Sequence, residues 1–330
     1  MAFQILALSG GGYCGLYTAC VLAEIESQTG RRAIDMFDMF AGTSIGGIIA
    51  LGLAAEVSAA DIRDAFLDNG ARIFGSSPPG GSIVKFTEML GGLFKTKYTV
   101  PPLERTIEQI VGTDTLMKDL RRPTIVTAVN LTKGGPKIFK TGHHPSLFLD
   151  WPLRIVDVAL ATSAAPTYFP THKIGDELFA DGGLFANSPD LISMHEAEQF
   201  MGVSADDIQV LSVGTTTSSF AFSAKTSRQM GIWSWVKNER LTNAIIGSQQ
   251  AIANDMMRHR LDSRYVRIDR AQASNQRNEL ALDCASGAAK ATLSAMAHAS
   301  VAEAGGNSSL RSILAHQAID RPFLNATLRN

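Results

Sequence analysis

Apolar residues fall in short blocks along this chain, separated by glycine-rich breaks. Residues 4–8 form one such block, stopped by Ser9-Gly10-Gly11-Gly12, and predict a short buried strand. Over residues 15–28, Leu16, Ala19, Cys20, Ala23 and Ile25 recur at roughly helical spacing before Gly30. That predicts a helix with a glycine stop. A second apolar run, 34–40, predicts the next strand, and the small-residue run 45–55 the next helix. Strand, loop, helix, strand, turn, helix is the pattern of a parallel sheet with crossover helices.

Ser58-Ala59-Ala60-Asp61 has the form of a capping box and opens a helix expected to end near Gly70. A flexible loop over 75–81 leads to an amphipathic stretch, 83–94, which reads either as a core-packing helix or as a lid or membrane-facing element. Pro101-Pro102 starts a helix to residue 111. Strands at 124–131 and 137–140 flank Gly134-Gly135-Pro136 as a hairpin. A helix at 155–161, a strand at 177–180, a helix at 189–200 and a buried strand at 208–213 follow. Beyond a polar connection at 215–229 come a long helical region within 232–260, a strand at 265–268 and an Ala-rich helix at 287–303. The expected division is an α/β domain over 1–214 and an α-rich C-terminal extension, 215–330, packed on it.

Composition narrows the function. With 330 residues, 45% of them hydrophobic, the chain can bury a full core. A net charge of −1 argues against a nucleic-acid polymer as partner. Three widely spaced cysteines, Cys14, Cys20 and Cys284, without a Cys-x-x-Cys pair, suggest reduced thiols in a cytosolic protein rather than disulfides or a zinc site. The first residues lack the basic segment of a signal peptide. No run approaches the ~20 apolar residues of a membrane span, so membrane contact is expected to be peripheral.

Three motifs carry candidate chemistry. Gly42-Thr43-Ser44-Ile45-Gly46 sits between the second strand and its helix. A serine at such a turn has a strained backbone, an exposed hydroxyl and a helix N-terminus beside it. Gly10-Gly11-Gly12-Tyr13-Cys14-Gly15 follows the first strand. Its amides can stabilise an oxyanion or hold a dinucleotide pyrophosphate, with Asp35 or Asp38 as the ribose acid in the second case. Ser44 on the next strand end favours the first reading. Asp181-Gly182-Gly183 places a carboxylate at the end of a third strand, either as a turn residue or as a proton acceptor. Seven histidines are present and none lies in a marking motif, so a Ser44–Asp181 dyad and a Ser-His-Asp triad both stand on the residues alone.

Gly-Gly-Gly-x-x-Gly, then Gly-Thr-Ser-Ile-Gly, then Asp-Gly-Gly, over roughly residues 5–200, resembles the patatin-like phospholipases. The resemblance implies a three-layer α/β/α fold with a mostly parallel central sheet. It also implies acyl-ester hydrolysis of membrane phospholipid by a Ser/Asp dyad without cofactor or metal. On this match Ser44 is the nucleophile and Asp181 the base, with the Gly11 and Gly12 amides as the oxyanion hole. Gly10, Gly15, Gly42, Gly46, Gly182 and Gly183 are the motif glycines. Cys14 departs from the Arg or Lys common at its position and reads as a packing residue. A narrower similarity, in 8–12, 16–26 and 42–48, is to bacterial patatin-like effectors of cyclic-oligonucleotide-based antiphage defence. It implies a cytoplasmic protein activated by a cyclic dinucleotide, with homo-oligomers and peripheral contact with the inner membrane when active. Arg258, His259, Arg260, Arg264 and Arg267 are a candidate basic cluster for that ligand, or a solvated surface. An unregulated patatin-like lipase is the alternative within the family, and a dinucleotide-binding protein the alternative outside it.

Overall fold

The computed structural model describes residues 2–76, 96–216, 240–273, 276 and 279–320. The expected amphipathic stretch 83–94 lies outside these, as do most of the loop 75–81, most of the connection 215–229 and the start of the helical region 232–260.

Strand β1 (Phe3–Leu8) is buried throughout, and its side chains divide between two cores. Leu6 and Leu8 join the larger one; Phe3, Ile5 and Ala7 join the smaller. A strand buried on both faces needs helices on both faces, which explains why its apolar run is continuous rather than alternating. β1 pairs in parallel with β2 (Met39–Thr43) on one side and with β7 (Ile208–Val213) on the other. β3 (Thr124–Asn130) extends the parallel set beyond β2, and β8 (Tyr265–Ile268) extends it beyond β7. β4 (Gly135–Lys140), β5 (His172–Ile174) and β6 (Glu177–Asp181) are antiparallel additions around β3. The eight strands run β5-β6-β3-β2-β1-β7-β8, with β4 paired to β3 off this path.

The helices are α1 (Gly15–Thr29), α2 (Ala33–Met36), α3 (Ile45–Ala54), α4 (Ala59–Phe74), α5 (Val100–Val111), α6 (Ile155–Thr162), α7 (Gly183–Ala186), α8 (Asp190–Met201), α9 (Arg240–Leu261), α10 (Gly287–Ala304) and α11 (Ser308–Leu314). The larger core receives Leu16 and Leu22 from α1, Ile48 and Leu51 from α3, Phe66 from α4, Ile107 from α5, Ile155 from α6 and Leu293 from α10. The smaller receives Met194 and Ala197 from α8 and Met257 and Leu261 from α9. The result is the expected α/β/α arrangement around a mostly parallel sheet.

Local expectations hold at α1, which ends at a left-handed Gly30 with φ 65°, and at α4, where Ser58 Oγ accepts from the Asp61 N–H. Two boundaries differ. The run 34–40 is not one strand: the Phe37 N–H closes a helical turn on the Ala33 carbonyl at 3.0 Å, and β2 begins only at Met39. The pivot is Asp38, whose carboxylate accepts from the Gln4 N–H at 2.8 Å and the Ile319 N–H at 3.1 Å. Helix α4 passes through Gly70 to Phe74. Gly70 is there because the Tyr13 ring lies against it, where a side chain would clash. Strand β5 and helices α7 and α11 are too short to leave a periodic signal.

Candidate active site

The register of β3 brings the site together. β4 occupies one edge of β3 over residues 125–130. The other edge is shared. β2 pairs with it up to Thr43 opposite Thr127, and the antiparallel β6 takes over at Asp181 opposite Ala128. The C-terminal ends of β2 and β6 therefore meet head to head, and the residue after Thr43 is Ser44.

Ser44 has φ 54° and ψ −126°, a conformation that costs a non-glycine residue on the order of 1–3 kcal/mol and persists only where its surroundings over-determine it. Here they do. The Ser44 N–H donates to Thr162 Oγ1 at 2.8 Å, and that hydroxyl donates to the Thr127 carbonyl at 2.6 Å. The Ser44 carbonyl accepts from the Gly47 and Ile48 amides as α3 begins. A Cβ on Gly42 would strike the Gly46 carbonyl, and one on Gly46 would strike the carbonyls of Leu8 and Ser9. The glycines thus let α3 start directly on top of β1 and β2.

The Ser44 hydroxyl donates to Asp181 Oδ2 at 2.6 Å. The other carboxylate oxygen accepts from the Gly183 N–H at 2.7 Å, and the Asp181 N–H donates to the Ala164 carbonyl at 3.0 Å. Asp181 is 6% exposed. Burial pushes its pKa up to about 6, against the opposing pull of the Ser44 hydroxyl and the Gly183 amide. Among the described residues no histidine bonds to Ser44 or Asp181. His143, His172 and His316 are instead held by Glu196, Asp157 and Asp38.

The first glycine loop closes over this pair. The Gly10 N–H donates to the Asn187 carbonyl at 3.0 Å, and the Gly10 carbonyl accepts from Asn187 Nδ2 at 3.2 Å and Thr215 Oγ1 at 2.8 Å. A Cβ built on Gly10 would come within 3.1 Å of the Ser44 Cβ. Gly12 has φ 54° and lies against the Leu282 carbonyl, which accepts from the Tyr13 N–H at 2.7 Å. Among the described residues the Gly11 and Gly12 amides have no acceptor. Gly15 abuts Ile45, and Gly182 abuts Thr127. The three motifs thus converge. Sequence reasoning missed Thr162, Asn187, Thr215 and Gln250, whose Oε1 accepts from Asn187 Nδ2 at 3.3 Å.

A family model described as patatin-like phospholipase matches residues 6–191. The chain belongs to the patatin-like phospholipase family. Membership carries the activity class, a phospholipase acting as a carboxylic ester hydrolase. The chain is similar to a cGAMP-activated phospholipase of Pseudomonas aeruginosa, 38% identical over 97% of this chain and 94% of the relative. It is also similar to proteins of the same description from Escherichia coli, 36% identical over 88% of this chain and 86% of the relative, and from Vibrio cholerae, 35% identical over 88% of each.

Other features of this patatin-like phospholipase differ from the alternatives left open by its sequence. Asp38, a candidate ribose acid, precedes β2 at the opposite end of the sheet from the glycine loop, and its carboxylate is occupied by Gln4, His316 and Ile319. The five basic candidates do not form one patch. Arg267 is buried and donates to Asp269 at 2.7 Å and Ser212 at 2.6 Å. Arg258 pairs with Asp255, Arg260 with Glu198, and Arg264 donates to the Ala205 carbonyl. Cys14 is buried, its thiol pushed up to about 12 by that burial, and it donates to the Leu280 carbonyl at 3.4 Å. Among the described residues no helix is long and apolar enough to cross a membrane.

Proposed function

We propose that Ser44 and Asp181 are the nucleophile and base of this phospholipase, and that a cyclic dinucleotide switches it on. The 2.6 Å bond from a backbone-strained serine to a buried carboxylate carries the first part of the reading. In the proposed reaction Ser44 Oγ attacks the ester carbonyl of a membrane phospholipid while Asp181 Oδ2 takes its proton. The tetrahedral oxyanion accepts from the Gly11 and Gly12 amides, each such donor being worth about 2.7–4 kcal/mol. Asp181 returns the proton to the leaving lysophospholipid oxygen. Water, deprotonated by the same carboxylate, then attacks the acyl-Ser44 ester, and Asp181 passes that proton to Ser44 Oγ as the fatty acid leaves. A carboxyl raised to about 6 is mostly ionised at neutral pH yet a better base than an ordinary aspartate.

The name shared by the three relatives supports the second part, with similarity that runs almost end to end. In this reading the protein is a cytoplasmic effector of antiphage defence. It assembles into homo-oligomers when the ligand binds and degrades the inner membrane from peripheral contact. Residues 1–214 hold the catalytic domain, and the α-rich extension packs on it, its β8 joining the sheet beside β7.

The test is fatty-acid release from phospholipid by the parent protein and by Ser44→Ala, with and without cGAMP, alongside labelling by a fluorophosphonate. Release that rises steeply with cGAMP, and label and release both lost in Ser44→Ala, is the expected result. Labelling that persists in Ser44→Ala overturns the nucleophile; full release without cGAMP, unchanged by it, overturns the switch.

A further inference from the structure

Helix α9 is apolar on two sides, whose centres lie about 130° apart around the helix axis. Its inner side buries Ala253, Met257 and Leu261. Its outer side carries Leu241, Ile245, Ile252 and Met256, all 36% to 59% exposed. At 3.6 residues per turn these four positions fall within an arc of about 60° and span about 22 Å of helix. No other residue between 241 and 256 falls in that arc. A soluble helix normally puts polar residues on the side away from the core, so this line of large apolar side chains needs a partner.

The stripe is continuous with the active site. Gln249, on the flank between Ile245 and Ile252, donates through Nε2 to the Leu184 carbonyl at 2.7 Å. Leu184 is itself exposed and follows Asp181-Gly182-Gly183 directly. The partner therefore lies against the same region of the protein that must receive a lipid ester.

We propose that Leu241, Ile245, Ile252 and Met256, together with Leu184, form the surface that seats the enzyme on a phospholipid bilayer. Size favours a bilayer over a second copy of the chain. Five such side chains expose on the order of 400 Å², within the range of patches that mark interaction sites and half the ~800 Å² per partner of a stable protein interface. A single convex helix suits a fluid interface, where each apolar side chain inserts independently and no complementary groove is required. The inference rests on the phospholipid substrate, and holds whichever residues perform the chemistry and whatever switches it on.

The test uses the full chain carrying Ser44→Ala, so that vesicles of phosphatidylethanolamine and phosphatidylglycerol survive the measurement, with and without cGAMP. Ile252→Glu with Met256→Glu is expected to lower the vesicle-bound fraction about tenfold or more. The same pair in the active protein lowers fatty-acid release from vesicles in step, while hydrolysis of a soluble short-chain ester is retained. Ile252→Trp, a milder change, adds a fluorophore to the parent's three tryptophans, and the variant-minus-parent tryptophan emission shifts to the blue on mixing with vesicles. Vesicle binding unchanged by the double substitution, or tryptophan emission that does not move, overturns the proposal. So does a self-associated parent that becomes monomeric in the double variant with vesicle binding intact, which assigns the stripe to a second copy.

Discussion

The two faces of the sheet are built on different principles. On the α1 and α3 face the packing is apolar, with Leu8, Leu16, Tyr17, Ile48 and Leu51 all essentially solvent-free. On the α8 and α9 face the apolar cluster is smaller and a buried polar network runs beside it. Asp190, fully buried, accepts from Ser188, Ser212 and Tyr265. Arg267 bridges Ser212 and Asp269, Gln250 donates to Asp269, and Gln250 accepts from Asn187. Asn187 in turn clamps Gly10. The comparison teaches a division of labour. The apolar face sets where α3, and hence Ser44, begins; the polar face ties the glycine loop to α9, the helix that bears the exposed stripe. The candidate active site is the seam between them.

The largest expected effect is at the seam itself. Asp181→Asn keeps both hydrogen bonds feasible but removes the proposed proton acceptor, and turnover is expected to fall by about 10³-fold or more. Stability moves the other way. The raised Asp181 pKa means that the folded state prefers the protonated carboxyl. Its contribution is complete below the ordinary aspartate value and is lost as pH rises through about 6. At pH 8 the asparagine variant should therefore melt higher than the parent, by an amount of order 3 kcal/mol, and at pH 4 the two should nearly coincide. Parent activity should rise with pH through about 6. A lower melting point for the variant at pH 8 would count against the buried-charge account.

Substitutions on the two faces separate the two principles. Arg267→Met removes the buried cation that pairs with Asp190 and Asp269 and should cost about 3–5 kcal/mol. Leu51→Ala should cost about 2–5 kcal/mol through the cavity it leaves. Denaturant melts give both costs. Initial rates on the folded protein should distinguish them: Leu51→Ala keeps kcat, whereas Arg267→Met lowers it, because only its network reaches the glycine loop. Equal kcat in both would dissolve the distinction.

Asn187→Ala is the finest probe. It frees the Gly10 carbonyl from one of two donors, at about 1–3 kcal/mol of stability. The expected signature is a kcat reduced about tenfold with KM for a soluble ester unchanged. Asn187→Gln, which can still offer an amide, should recover part of the rate. A change confined to KM would place Asn187 in substrate binding instead.

Much of this arrangement was legible because its signals are local. Strand, glycine loop and helix follow one another within residues 3–29, and the serine turn announces itself in five residues. Asp181 was found because two glycines follow it. Thr162, Asn187 and Thr215 carry no such mark. They act on Ser44 and Gly10 across 118, 177 and 205 residues, and a lone Thr or Asn looks the same wherever its hydroxyl or amide ends up. The late start of β2 was hidden for a related reason. A continuous apolar run has no period, and the turn at Ala33–Met36 is fixed by Asp38 bonding to β1 and to residue 319. The register of β3, which decides that β6 meets β2 end to end, follows from pairing alone.

That end-to-end meeting bears on how the chain behaves while it is being made. The nucleophile candidate emerges from the ribosome 137 residues before its hydrogen-bond partner. A nascent chain that has exposed Ser44 but not β6 has the elbow without a proton acceptor, and contacts this distant in sequence form late in folding. On the proposed dyad, the phospholipase is thereby inert through more than half of its synthesis, and a truncated product that stops short of residue 181 is inert for good.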